Sequence, residues 1–272
     1  TAYTRITASD GQPLDQLGSS IAVDGDHALV GAYYADRTFD QQGAAYPCRR
    51  DGAFWIEGDP LVASDPATFD LFGTSVAIDG DLAAVGAPFR DGSSTNEGAV
   101  YLFGRSGADW TFLARLTASD AEANAYFGGA VAIQGSHVVV GADGAMAGGL
   151  HVGGVYVFEG AGLAWTQAAR LPTPAGLESG AGFGASVAID EGWIAASAPY
   201  ADGEGISRGE VYVFEPDGTG WVQNDRIRAS DAADGQRFGE SIALEGAYLV
   251  AGAPETHGDA FFQGAVYVAK RW

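Results

Sequence analysis

Apolar residues in this chain come in short runs, broken by glycine and acidic residues, and the runs return in a fixed order. SVAI at 75–78 and LAAVGA at 82–87 flank Asp79-Gly80. An Asp-Gly pair between two such runs predicts a tight hairpin, because both turn positions favour positive φ. AVYLF follows at 99–103, with Val and Tyr alternating, and Trp110 then opens TFLARLTAS. Four short antiparallel strands with no helical period make up this unit. The unit recurs: an apolar-Gly step ends at Gly18, Gly73, Gly128, Gly184 and Gly239, spaced 55, 55, 56 and 55 residues apart. GAAY, GAVY, GGVY, GEVY and GAVY begin at 43, 98, 153, 209 and 264, and the units reach Trp55, Trp110, Trp165, Trp221 and Trp272.

One four-stranded sheet cannot bury both faces, whereas repeated sheets cover one another. The expected fold is an all-β, five-bladed β-propeller filling residues 1–272 as a single domain. Its blades span approximately 17–64, 72–119, 127–174, 183–230, and 238–272 completed by 1–9. The last assignment rests on register. TAYTRITASD at 1–10, placed after Trp272, repeats the match of TFLARLTASD to Trp110. The N-terminal segment is therefore expected to pair with the C-terminal blade and close the ring, removing an exposed sheet edge.

Composition agrees with turn-rich β structure: 41 glycines, one methionine and 47% hydrophobic residues. The formal net charge is −21 and the one lysine is Lys270, so the phosphate-neutralising face that nucleic-acid binding needs is missing. No apolar run approaches the ~20 residues of a membrane-spanning helix, so no membrane insertion is expected. Cys48 stands alone and cannot form an internal disulfide.

The repeated residues resemble the FG-GAP repeat, the blade unit of the integrin α-subunit head and of many bacterial surface proteins. Phe-Gly stands at 72, 127, 183 and 238, with Leu17-Gly18 as a variant. Gly-Ala-Pro stands at 86 and 252, with degenerate forms at Gly31, Gly141 and Ser197. The resemblance implies an extracellular or cell-surface module, bacterial or archaeal, for adhesion, protein recognition or sugar binding. Calcium-binding members carry a long Asp-rich loop between the first two strands. Here that loop is Asp24-Gly25, Asp79-Gly80, Gln134-Gly135, Asp190-Glu191-Gly192 or Glu245-Gly246, too short to supply six to eight oxygens, so no metal is expected.

Two acidic patterns carry the candidate chemistry. ASD recurs with Asp10, Asp65, Asp120 and Asp231 in the link between blades, and Ala175 stands in its place in the fourth. The loop between strands two and three, on the same face, holds Tyr34 with Asp36, Phe89 with Asp91, and Tyr200 with Asp202. Gly144 and Glu255 replace the aromatic residue in the other two blades. An aromatic face beside a carboxylate suits a sugar, and variable loops on a rigid scaffold suit a protein partner. The same residues have a structural reading too, as turn caps and packing between blades. The expectation is a non-catalytic recognition module for a protein or glycan ligand, with no cofactor. A glycan hydrolase using paired carboxylates on that face, or a purely structural or assembly domain, are the alternatives.

Overall fold

The computed structural model describes residues 5–218, 220–256 and 263–270. The first blade comprises Ser20–Asp24 (β1), His27–Ala32 (β2), Ala44–Asp51 (β3) and Phe54–Glu57 (β4). The second comprises Ser75–Asp79 (β5), Leu82–Ala87 (β6), Ala99–Ser106 (β7) and Asp109–Leu116 (β8). In the third, Ala130–Gln134 (β9) and His137–Ala142 (β10) are followed by a small hairpin, Met146–Ala147 (β11) and Leu150–His151 (β12). Gly154–Ala161 (β13) and Ala164–Arg170 (β14) complete it. The fourth runs Val187–Asp190 (β15), Trp193–Ala198 (β16), Glu210–Pro216 (β17) and Trp221–Ile227 (β18). The fifth has Ser241–Glu245 (β19), Tyr248–Ala253 (β20) and Ala265–Lys270 (β21). Each sheet pairs its strands in chain order, four in four blades and three in the fifth. The protein is an all-β, five-bladed β-propeller, and no helix among the described residues is long and apolar enough to cross a membrane.

Of the segment expected to close the ring, residues 1–4 lie outside the described residues, and so does Trp272. Residues 5–9 are described and form no strand. Ile6 packs with Ala28, Val30, Cys48 and Trp55 of the first blade, and Ala8 packs beside Tyr46.

The chain divides into two compact units. One holds residues 1–136 and 160–165, with the first two blades; the other holds 137–159 and 166–272, with the fourth and fifth. In the first unit the core between consecutive blades joins Leu29, Ala45 and Leu61 to Phe72, Val85 and Tyr101. In the second unit Ala195, Val211 and Ala229 meet Phe238, Leu249 and Ala251.

Two local devices hold successive blades at close range. The Phe of each Phe-Gly step is at most 1% exposed and donates its N–H to the blade before: Phe72 to Gln42 O (2.9 Å), Phe127 to Glu97 O (3.1 Å), Phe183 to Val152 O (2.7 Å) and Phe238 to Arg208 O (3.0 Å). The carbonyl of the following Gly presses on the Gly-Ala-Pro glycine. A Cβ on Gly31 would sit 2.1 Å from Gly73 O, and one on Gly86 2.0 Å from Gly128 O. The second device is the hairpin aspartate. Asp24 accepts from Gly80 N (2.7 Å), Asp79 from Gly135 N (2.5 Å) and Asp190 from Gly246 N (2.5 Å). Each is an Asp of one hairpin bonded to the turn of the next, 56 residues on.

Candidate functional site

The ASD aspartates meet the tyrosine of the following blade's third strand. Tyr46 Oη donates to Asp10 (2.8 Å), Tyr101 Oη to Asp65 (2.7 Å) and Tyr267 Oη to Asp231 (2.7 Å), each pair 36 residues apart. Asp120 precedes Tyr156 by the same interval in the sequence. The ring is buried at Tyr46 and Tyr101 and partly buried at Tyr267, and the hydroxyl reaches the loop end of the blade, where it needs an acceptor. Arginine completes two of these nodes: Arg37 donates to Asp10 (2.5 Å), and Asp65 takes Arg90 (2.7 Å) and Arg115. Burial raises the pKa of Asp10, but the Tyr46 hydroxyl and the Arg37 guanidinium outweigh it and leave Asp10 below the usual carboxylate range. Asp65 is likewise lowered, with Arg90 and Tyr101 overcoming its burial. Burial pushes Tyr46 and Tyr101 well above the ordinary phenol range, and the facing carboxylates add to the shift.

The fourth blade lacks the linker aspartate and supplies the charge from another position. Tyr212 Oη donates to Glu210, two residues earlier on the same strand, and Glu210 also pairs with Arg226 and with Arg228 (2.8 Å). Glu210 is 1% exposed and occupies the position held by Ala44, Ala99 and Ala265 in other blades. Its pKa is lowered, because Arg226, Tyr212 and Arg228 outweigh the effect of burial. The carboxylate has changed places while its tyrosine has stayed put. Sequence reading passed over Glu210; the signal available to it was the coincidence of Ala175 with an acid inside GEVY.

The aspartates of the second pattern cap their own loops. Asp36 accepts from Gln41 N (2.6 Å), Asp91 from Asn96 N (2.8 Å) and Asp202 from Ser207 N (2.8 Å), five residues on in each case. Each donor sits at positive φ, 48°, 52° and 46°, a backbone conformation that side-chain-bearing residues seldom adopt. The carboxylate steadies that strained corner. The aromatic partners lie half-open above these loops. Tyr34 packs at a tilt against Tyr33 (4.3 Å), Phe89 is 39% exposed and packs on Tyr126 (5.1 Å), and Arg237 lies over Tyr200 (5.1 Å).

In the first blade both patterns converge. Asp10, Asp15, Asp36, Arg37, Thr38 and Tyr46 line a cleft of about 390 Å³. In the fourth, Glu204, Arg208, Glu210, Arg228 and Ser230 line one of about 270 Å³.

A third acidic position escaped the sequence reading. Asp70, five residues after Asp65, is 2% exposed and accepts from Ala67 N (2.7 Å). Burial pushes its pKa up to about 6, and Asp65 and Asp91 add to the rise against the opposing Arg90. Asp15 fills the same position in the first blade and accepts from Gln12 N (2.7 Å). In the fifth blade a neutral Gln236 does so, accepting from Ala233 N (3.1 Å) and donating to Tyr267 Oη (2.5 Å).

The geometry accounts for the Phe-Gly step and the glycines it rests on by contacts between blades, and the match to known families follows it. The family model described as FG-GAP repeat matches residues 1–46, 55–103, 110–158, 165–214 and 221–269. The chain belongs to the FG-GAP repeat family. Four of the five matched segments begin at a Trp and end in the next blade's third strand, so each segment contains one step between blades. No curated protein matches the chain. FG-GAP propeller domains are generally protein-interaction modules, typical of extracellular and cell-surface proteins.

Proposed function

We propose that this FG-GAP propeller is a non-catalytic recognition module of the cell surface or extracellular space. It binds a protein or glycan ligand on the face formed by the ASD links and the loops between second and third strands. The observation that carries this reading is the state of the carboxylates on that face. Asp10, Asp65 and Glu210 are held ionised by tyrosine and arginine, and Asp36, Asp91 and Asp202 are committed to their loops. A hydrolase acting through two carboxylates needs one that stays protonated near neutral pH and reaches substrate. Burial raises the pKa of Asp70 and of Asp143; Asp70 is closed off from solvent, and Asp143 is engaged by the backbone N–H groups of its own residue and Gly144. The face thus offers fixed charge, arginine donors and half-open aromatic rings, which together suit recognition.

The test is a glycan array and a surface-protein binding screen, run beside a glycoside hydrolysis screen on the same preparation. Binding without turnover is expected. It should weaken at least tenfold in Phe89→Ala, a half-exposed ring whose loss leaves the tyrosine–aspartate nodes intact. Turnover of any bound glycan would overturn the reading.

A further inference from the structure

In the third blade, the first residue of β10 and its partner on β13 are His137 and Glu159, an ion pair at 3.3 Å. The same two positions in the first blade hold His27 and Arg49, again directly opposite on β2 and β3. Residues so placed project to one face of the sheet. The acid that faces histidine in the third blade is therefore replaced by a cation in the first. Neither side chain has a hydrogen bond or ion pair among the described residues. Arg50, the next residue, meets Asp26 (3.5 Å).

Beside Arg49 the repeat also loses a side chain. Three residues after the tryptophan of the fourth strand stand Gly58, Leu113, Ala168 and Asn224. In the second blade Leu113 packs against Gly104, the counterpart of Arg49; a Cβ on Gly104 would come within 3.0 Å of the leucine side chain. In the first blade Gly58 leaves that place open. His27, Arg49, Ile56 and Gly58 line a cavity of about 100 Å³ together with Trp110 of the second blade. Buried Pro47, Ile56 and the Trp110 indole form its apolar wall. The other charged groups on the lining are engaged. Glu57 accepts from Ser9 N (3.1 Å) and Ser9 Oγ (2.8 Å), and Arg105 is held by Asp81 and by Gly107 O (3.2 Å). The cavity lies within the compact unit that holds the first two blades. It sits at the hairpin-turn end of the strands, opposite the loops of the proposed recognition face, so it is tested independently of that reading.

We propose that this cavity binds a small organic carboxylate with a short, branched aliphatic body. The carboxylate takes the guanidinium of Arg49, with the imidazole of His27 beside it, and the body rests on Pro47, Ile56 and Trp110. Arginine offers a planar fork of donors that a carboxylate matches in pairs. Imidazole adds one N–H donor when neutral and two when protonated. The volume is about three times the ~30 Å³ share of a liquid water, which suits a body of a few carbon atoms. Two unpartnered cationic side chains around one apolar cavity stand out in a chain of net charge −21.

Isothermal titration calorimetry compares isovalerate with isoamyl alcohol, its neutral counterpart. The acid is expected to bind about tenfold tighter, as a charge-assisted hydrogen bond to arginine implies. Arg49→Glu copies the third blade and should reduce that preference to one or below. Gly58→Leu copies the second blade. A Cβ there meets Pro47 at an ordinary contact distance of 3.4 Å, and the variant should lose both compounds. A short peptide ending in leucine carries the same group at a chain end, and its affinity beside that of isovalerate tells a peptide terminus from a free acid. An acid that binds no tighter than its alcohol overturns the proposal. So does a preference that survives Arg49→Glu; Arg49→Gln gives the same reading should that variant misfold.

Discussion

At the scale of the residue, the informative comparison is between equivalent positions of different blades. Asp65 and Glu210 serve equivalent tyrosine–arginine nodes of the second and fourth blades from different positions in the repeat. Glu210→Ala should therefore strand the Tyr212 hydroxyl and two guanidinium groups, lowering stability by about 2 kcal/mol, since the arginines are partly solvated. Adding Ala175→Asp restores the arrangement of the other blades and should recover at least half of that loss in urea titrations. No recovery would mean the two positions are not interchangeable. Asp70 gives a prediction of opposite electrostatic sign. Its folded pKa, about 6, lies above the unfolded value, so its contribution to stability is fully present below about pH 4 and is lost as pH rises through 6. Asp70→Asn should remove that dependence and stabilise the protein at pH 8 by about 2 kcal/mol. Unfolding free energies of both proteins at pH 5 and pH 8 decide it: a difference unchanged in the variant would show that Asp70 is not the group titrating. For Asp65, whose pKa is lowered, stability is present at neutral pH and lost as pH falls below about 4.

Among elements, the hairpins and the Phe-Gly steps place different demands on glycine. Gly80 needs positive φ but faces open space, and Gly86 needs room. Gly80→Asn should change stability by no more than about 0.5 kcal/mol, because Asn tolerates that conformation. Gly86→Ala puts a methyl group onto the Gly128 carbonyl and should cost about 3 kcal/mol or more. Thermal melts of the pair measure this directly; equal effects would contradict the account of the step. The element reading from sequence was nearly complete for the same reason. Alternation in SVAI and AVYLF and the Asp-Gly turns are local signals, and local signals set strands and hairpins. The fifth blade is the exception: its expected fourth strand was inferred from register across the chain ends, residues 1–4 of it lie outside the described residues, and residues 5–9 form no strand.

Across the whole molecule, repeated packing and accumulated negative charge act against each other. A formal charge of −21 over 272 residues destabilises the compact state by self-repulsion, which salt screens. The melting temperature should rise as sodium chloride increases from low to near-physiological concentration. A flat response would show that the arginine nodes already compensate the field.

The repeat, the strand order, the five blades and the glycine positions could be read from the sequence, because spacing and turn chemistry are properties of neighbouring residues. The candidate face was legible only in outline. ASD and the Tyr- or Phe-containing loops could be seen, but not what their carboxylates do. Asp10 with Tyr46, Asp24 with Gly80, and Glu210 with Arg226 and Arg228 are partnerships across 16 to 56 residues. They exist because stacked and paired strands bring those atoms within hydrogen-bond reach. Only the tertiary structure could decide which acids are consumed by the fold and which are buried with a raised pKa.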